Sequence, residues 1–140
     1  MKQLILGSYM DSWRGYAPTV LRVVTGIIFA LHGYQKLEGG LPMVAGMLEG
    51  MGFPAPMLFA VLLIAAELGG GIFLILGLLT RASAKALAIV SVVALFAVHL
   101  KNGFFMSTGG YEYILLLLAA SVSLMISGGG KWSLDGKLWK

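Results

Sequence analysis

Four stretches of this chain, residues 17–37, 56–79, 82–100 and 111–127, run almost free of charge for the distance that crosses a bilayer. A hydrocarbon core of about 30 Å takes about 20 helical residues, and in lipid a helix satisfies its own backbone amides. A water-soluble domain of 140 residues has nowhere to hide so much apolar surface: 59% of the residues are hydrophobic and only 11% are charged, against roughly 25% charged in soluble domains. The fold class that follows is all-α, a single transmembrane domain over residues 1–140 built as an integral membrane antiparallel four-helix bundle. Its first partner is the lipid bilayer.

Local signals place the boundaries. Pro18 and Pro56 open the first and second spans, where a missing amide proton costs nothing, and Gly128, Gly129 and Gly130 stop the fourth. Thr80-Arg81 is the whole connection between the second and third spans, which makes those helices antiparallel neighbours. Between the first two spans, Pro42 starts a short interfacial helix with Met43, Val44, Met47, Leu48 and Met51 on one face, ended by Gly52 and Pro54. The apolar run after Lys2 is too short for a secretory signal, so the first helix is read as retained in the mature protein. Lys2, Arg14, Arg81, Lys85, Lys131, Lys137 and Lys140 fall on the side of the termini, against Lys36 and Lys101 on the other. That bias puts both termini in the cytoplasm of a multi-pass inner-membrane protein. Trp13, Tyr16, Tyr111, Tyr113 and Trp132 sit at helix ends, where an aromatic belt belongs.

Several chemistries are excluded. With no Cys, the chain forms no disulfide, thiol nucleophile or cysteine-held cluster, so redox chemistry belongs to a bound cofactor or a partner. The formal charge of +4 comes from scattered Lys and Arg without an interleaved aromatic platform, which excludes nucleic acid as a partner. The glycine strings lack the strand and the Lys-Ser/Thr of a phosphate loop. No ligand spacing marks a metal site.

The ionisable residues inside the spans carry the functional argument, because a charge near mid-bilayer costs at least about 2.5–3.5 kcal/mol and needs a partner or a cavity. A step of about 100° per residue aligns Arg22, Gly26, Phe29, Gly33 and Lys36 on one stripe of the first helix, with His32 at its edge. Glu67 lies in the second span beside Gly69, Gly70 and Gly71, which let another backbone or a flat ligand approach. Depth arithmetic pairs Glu67 with Arg22, either as a packing device or as the core of a ligand or proton site. A second group gathers at the outer end: His32, Lys36, His99, Lys101 and Glu112, walled by Phe29, Phe104, Phe105 and Tyr111. Such a pocket suits a quinone head group and proton exchange, while ordinary snorkelling of helix-end residues remains the alternative. The close-packing positions are Gly26, Gly33, Gly69, Gly70 and Gly71.

The ordered set Arg22, Gly26, His32, Gly33 and Lys36, then Gly52-Phe53-Pro54, then Glu67 with Gly70 and Gly71, then Gly77 and Thr80-Arg81, then Ser133-Leu134-Asp135 resembles the DoxX family of small bacterial membrane proteins. The resemblance spans about residues 20–138. It implies a four-helix protein of the bacterial inner membrane linked to redox systems, in one relative to thiosulfate oxidation coupled to quinone reduction. The expected function is therefore a quinone-interacting or membrane subunit of a redox system, with a quinone as ligand, no intrinsic cofactor, and a redox enzyme as partner. Whether it is an enzyme is left open; if it is one, the expectation is a quinone-linked oxidoreductase subunit rather than a complete enzyme. A non-catalytic scaffold for a soluble enzyme and a small transporter acting as a homo-oligomer are the rival readings.

Overall fold

The computed structural model describes residues 8–139; Lys2, the apolar run that follows it and Lys140 lie outside them. The described residues are helical, and no strand occurs among them. A 3-10 segment, Ser8–Tyr16, leads into α1 (Ala17–Gly39). Then come α2 (Leu41–Gly50), α3 (Pro56–Leu76), α4 (Thr80–Asn102), α5 (Glu112–Ser127) and the short α6 (Asp135–Leu138). Proline occupies the first turn of α1, α2 and α3, where its fixed φ favours the helix and its absent N–H is not needed.

The end of α3 differs from the expected one. The helix stops at Leu76 because Gly77 turns left-handed at φ 67°, and the amides of Gly77 and Leu78 fold back onto the carbonyls of Leu74 and Phe73. The connection to α4 is thus residues 77–79, and Thr80 already belongs to α4.

Three helical stretches, Met10–Gly39, Pro56–Leu76 and Thr80–Asn102, are long and apolar enough to cross a membrane. At 16 residues, α5 is apolar but shorter, about 24 Å. In each of the three longer stretches, 33% or less of the most apolar window is buried. Val20, Val24 and Leu31 of α1, Leu58 and Leu62 of α3, and Ile89 and Phe96 of α4 stay uncovered. Leaving these faces bare is stable in hydrocarbon and unstable in water.

Inside, Phe29, Leu74, Ala84, Leu87, Ile114, Leu117 and Leu124 form one core shared by α1, α3, α4 and α5. A second cluster packs Val44, Ala45 and Leu48 of α2 onto Ala60 and Ile64 of α3. This packing refines the expected interfacial helix: Val44 and Leu48 turn inward as expected, whereas Met43 and Met47 are exposed and Ala45 takes the inward place.

Glycines set how closely α1 and α3 approach. A Cβ on Gly26 would lie 2.6 Å from the Gly71 carbonyl oxygen, one on Gly71 would lie 2.7 Å from the Gly26 oxygen, and one on Gly33 would lie 2.8 Å from Leu68 Cα. No methyl fits at such distances, so the two backbones touch along this line. Gly69 instead faces open space, and a Cβ on Gly70 would meet Leu87 at ordinary van der Waals distance.

Candidate functional site

Where α1 meets α3 at Gly33 and Leu68, the next turn of α1 brings Lys36 to Glu67. The Lys36 Nζ donates to Glu67 Oε2 at 2.5 Å, with the glutamate side chain 8% exposed and the lysine side chain 23% exposed. Among the described residues, Lys36 is the carboxylate's hydrogen-bond partner. An ion pair so placed is desolvated on the carboxylate side and partly hydrated on the ammonium side, so each charge depends on the other to remain between apolar helices.

The expected Arg22–Glu67 pair does not form. Both residues are buried, but they belong to different ends of the molecule. The Arg22 guanidinium donates to the carbonyls of Leu74 (2.8 Å), Ile75, Gly129 (2.9 Å) and Trp132 (2.9 Å). Leu74 and Ile75 lie seven and eight residues past Glu67, roughly 11–12 Å along the helix, which is too far for one arginine to serve both. Arg22 is the centre of a clasp that ties the segment after α5 to the rest of the chain. Thr19 Oγ1 donates to the Lys131 carbonyl, Lys131 N–H to the Gly15 carbonyl, and the Asp135 carboxylate accepts from the amides of Leu79 (2.7 Å) and Thr80 (2.8 Å) at the start of α4. Gly77 has no room for a side chain, since a Cβ there would lie 2.8 Å from Arg22 Cζ. Ser133 Oγ donates to the Gly130 carbonyl and accepts from the Gly136 amide.

Lys36 and Glu67 line a cavity of about 200 Å³ between α1, α3, α4 and α5. His32, His99 and Tyr113 add polar edges, and Phe29, Val90, Ala94, Ile114 and Leu117 make the apolar wall. Two π-helical turns frame it: Glu67 sits in the turn Ala65–Gly69, and His99 closes the turn Leu95–His99. The extra residue in each π turn re-aims the side chains that follow, a distortion common at functional positions. The segment 106–110 covers one side through Met106, Gly109 and Gly110. His99 Nδ1 meets the Gly109 carbonyl at 2.8 Å; because a carbonyl only accepts, Nδ1 carries a proton here, and in the neutral tautomer with that proton Nε2 is an acceptor.

The sequence-derived groups are thus redistributed. Lys36, His32 and His99 join Glu67 at one cavity, and Arg22 leaves it. Glu112 does not line the cavity: its Oε1 accepts from the Met106 amide at 2.6 Å, pinning the covering segment. Lys101 is exposed in the 3-10 turn that ends α4. Of the expected aromatic walls only Phe29 lines the cavity, while Phe104 meets Phe105 and Tyr111 edge to face with ring centroids 5.4 Å apart in each pair. Tyr113 and the 106–110 segment carried no sequence signal beyond Tyr113's place near a helix start. Among the described residues no three His, Asp or Glu gather as a metal site.

The DoxX family model matches residues 17–100, which carry Arg22, His32, Lys36, Glu67 and His99. The chain belongs to the DoxX family. It is 34% identical over 122 residues to a Bacillus subtilis protein described as "Putative oxidoreductase CatD", covering 86% of each chain. "Uncharacterized membrane protein Rv3486" of Mycobacterium tuberculosis is 33% identical over 153 residues, covering 97% of this chain and 94% of the relative. "Inner membrane protein YqjF" of Escherichia coli is 31% identical over 121 residues, covering 86% and 91% respectively. No solved structure matches. This DoxX protein is a membrane protein, in keeping with its uncovered apolar helices. The fourth wall of its cavity, α5 with Tyr113, lies beyond the matched segment.

Proposed function

We propose that this DoxX protein is a multi-pass subunit of a bacterial inner-membrane redox system that binds a quinone head group in the Lys36–Glu67 cavity. In this reading α1, α3, α4 and α5 cross the membrane as an antiparallel bundle, with both termini in the cytoplasm and the cavity toward the outer face. The observation that carries it is an ion pair with a buried carboxylate lining a cavity with otherwise largely apolar walls. A purely structural pair needs no cavity, and an apolar cavity for lipid needs no pair. The name of the Bacillus relative agrees with a redox setting.

The cavity's residues fit a flat ring bearing carbonyl oxygens. Lys36 Nζ has three protons and gives one to Glu67, which leaves donors for a ligand carbonyl. Glu67 holds the ammonium in place. Phe29, Ile114 and Leu117 exclude water from the ring faces, and His99 Nε2 offers an acceptor for a hydroxyl. A quinone bound here supplies two-electron, two-proton redox chemistry, which the chain's own side chains lack. Beside it, Lys36 Nζ is the hydrogen-bond donor and His99 Nε2 the acceptor that the protein supplies. With no cysteine and no cofactor motif, electrons come from a partner, so the protein is a subunit and not a complete enzyme.

The test is extraction of gently purified protein, with quinone analysis and an optical spectrum of the same sample. Wild type should carry a quinone near stoichiometry, and Lys36→Met, equally well inserted, should have lost most of it. Wild type that carries no quinone and takes up none when it is supplied would sink the reading, and a stoichiometric protein partner in such a preparation would favour a scaffold.

A further inference from the structure

The cavity is too small for a whole membrane quinone. Its volume of about 200 Å³ falls below the roughly 300–1,000 Å³ typical of sites that enclose a complete drug-sized ligand. It takes a ring, and any apolar tail must leave. A second hollow shows where. A shallow groove of about 340 Å³ runs along the outside of the bundle between α1 and α5, lined by Ile28, Leu31, His32, Gln35 and Tyr113. His32 and Tyr113 line both hollows. Their ring centroids are 6.4 Å apart with a 50° angle between planes, and no hydrogen bond joins them among the described residues. The partition between cavity and groove is therefore two aromatic rings from two helices, which side-chain rotation can part without moving backbone.

Resting on the proposed quinone site, we infer that the ligand reaches the cavity sideways from the membrane, between α1 and α5, and leaves its single apolar tail in the Ile28–Leu31–Gln35 groove. The groove belongs to the tail because it adjoins the head-group cavity across the shared His32–Tyr113 wall, and because it opens on the lipid-facing side, where Leu31 is 63% exposed. From Ile28 to Gln35 it follows α1 for about 10 Å. Lys36, one residue on, stands at the ion pair. A ligand with its ring at Lys36 and its tail along Ile28 and Leu31 spans both hollows without entering the tightly packed α1–α3 seam.

The experiment uses the full chain in nanodiscs of one defined phospholipid and two probes, decylubiquinone and tail-less ubiquinone-0, with binding measured by titration calorimetry. Leu31→Trp fills the groove. Val20→Trp places the same bulk on an exposed position of α1 outside it and controls for insertion. Wild type should bind decylubiquinone at least about tenfold more tightly than ubiquinone-0 after correction for partitioning into lipid. Leu31→Trp should remove that preference and leave ubiquinone-0 binding unchanged, and Val20→Trp should leave both unchanged. Binding of both probes with no tail preference, or a preference that survives Leu31→Trp, overturns the groove and keeps the head-group site, the groove then holding only a bilayer acyl chain. Binding of neither probe by wild type overturns the site itself and the groove with it.

Discussion

Lys36→Met isolates the ion pair from the rest of the bundle. It removes the hydrogen-bond partner of a carboxylate whose side chain is 8% exposed and leaves a side chain of similar length on α1. Breaking one member of a buried pair typically costs about 3–5 kcal/mol, because the remaining charge stays uncompensated. The lysine end is 23% exposed, so water reaches it and the expected loss is smaller, about 2–3 kcal/mol. Glu67→Gln should cost only about 1 kcal/mol, since the ammonium can turn toward water and the amide still accepts. The double variant Lys36→Met/Glu67→Leu removes both charges and should come within about 1 kcal/mol of wild type. Wild type, Lys36→Met, Glu67→Leu and the double variant form a cycle whose coupling should be about 2 kcal/mol. The assay is reversible unfolding in mixed micelles, followed by circular dichroism as the denaturing detergent fraction rises. A coupling under about 0.5 kcal/mol, or a Lys36→Met variant as stable as wild type, would show that the two charges do not depend on each other and would remove the physical basis of the site.

Gly33→Ala should destabilise the protein by about 1–3 kcal/mol because its methyl meets Leu68 backbone, whereas Gly69→Ala, facing open space in a helix, should be neutral or stabilising by up to about 1 kcal/mol; thermal unfolding of the two side by side checks the pair. Arg22→Gln should loosen the clasp, raising hydrogen exchange at Lys131 and Asp135, whose amides bond to Gly15 and Gly77, while quinone retained per folded molecule stays at the wild-type level. Exchange unchanged at those amides would contradict the clasp. Because the chain has no cysteine, single cysteines at Met106 and Lys137 can be labelled from outside intact cells with a membrane-impermeant maleimide. Position 106 should react and position 137 should not until the membrane is opened; the reverse pattern would invert the proposed orientation.

The sequence alone determined the solvent and the elements. Apolar length, proline at helix starts and glycine at helix ends are local properties, and each acts within a turn or two of where it stands, so the membrane character, the helices and the short α2 could be read directly. The stripe on α1 was equally legible, because helical periodicity fixes which residues share a face. What periodicity leaves free is the sliding of one helix along another. Depth counted from span centres set Glu67 opposite Arg22, but the contact of Gly26 with Gly71 and of Gly33 with Leu68 fixes a register in which Lys36 answers the carboxylate and Arg22 meets the end of α3. The clasp around Arg22 takes carbonyls more than a hundred residues away in the chain, and the cavity takes a wall from α5 and a cover from residues 106–110. Such contacts arise from backbone approach between segments distant in sequence, and only the packed tertiary structure decides them.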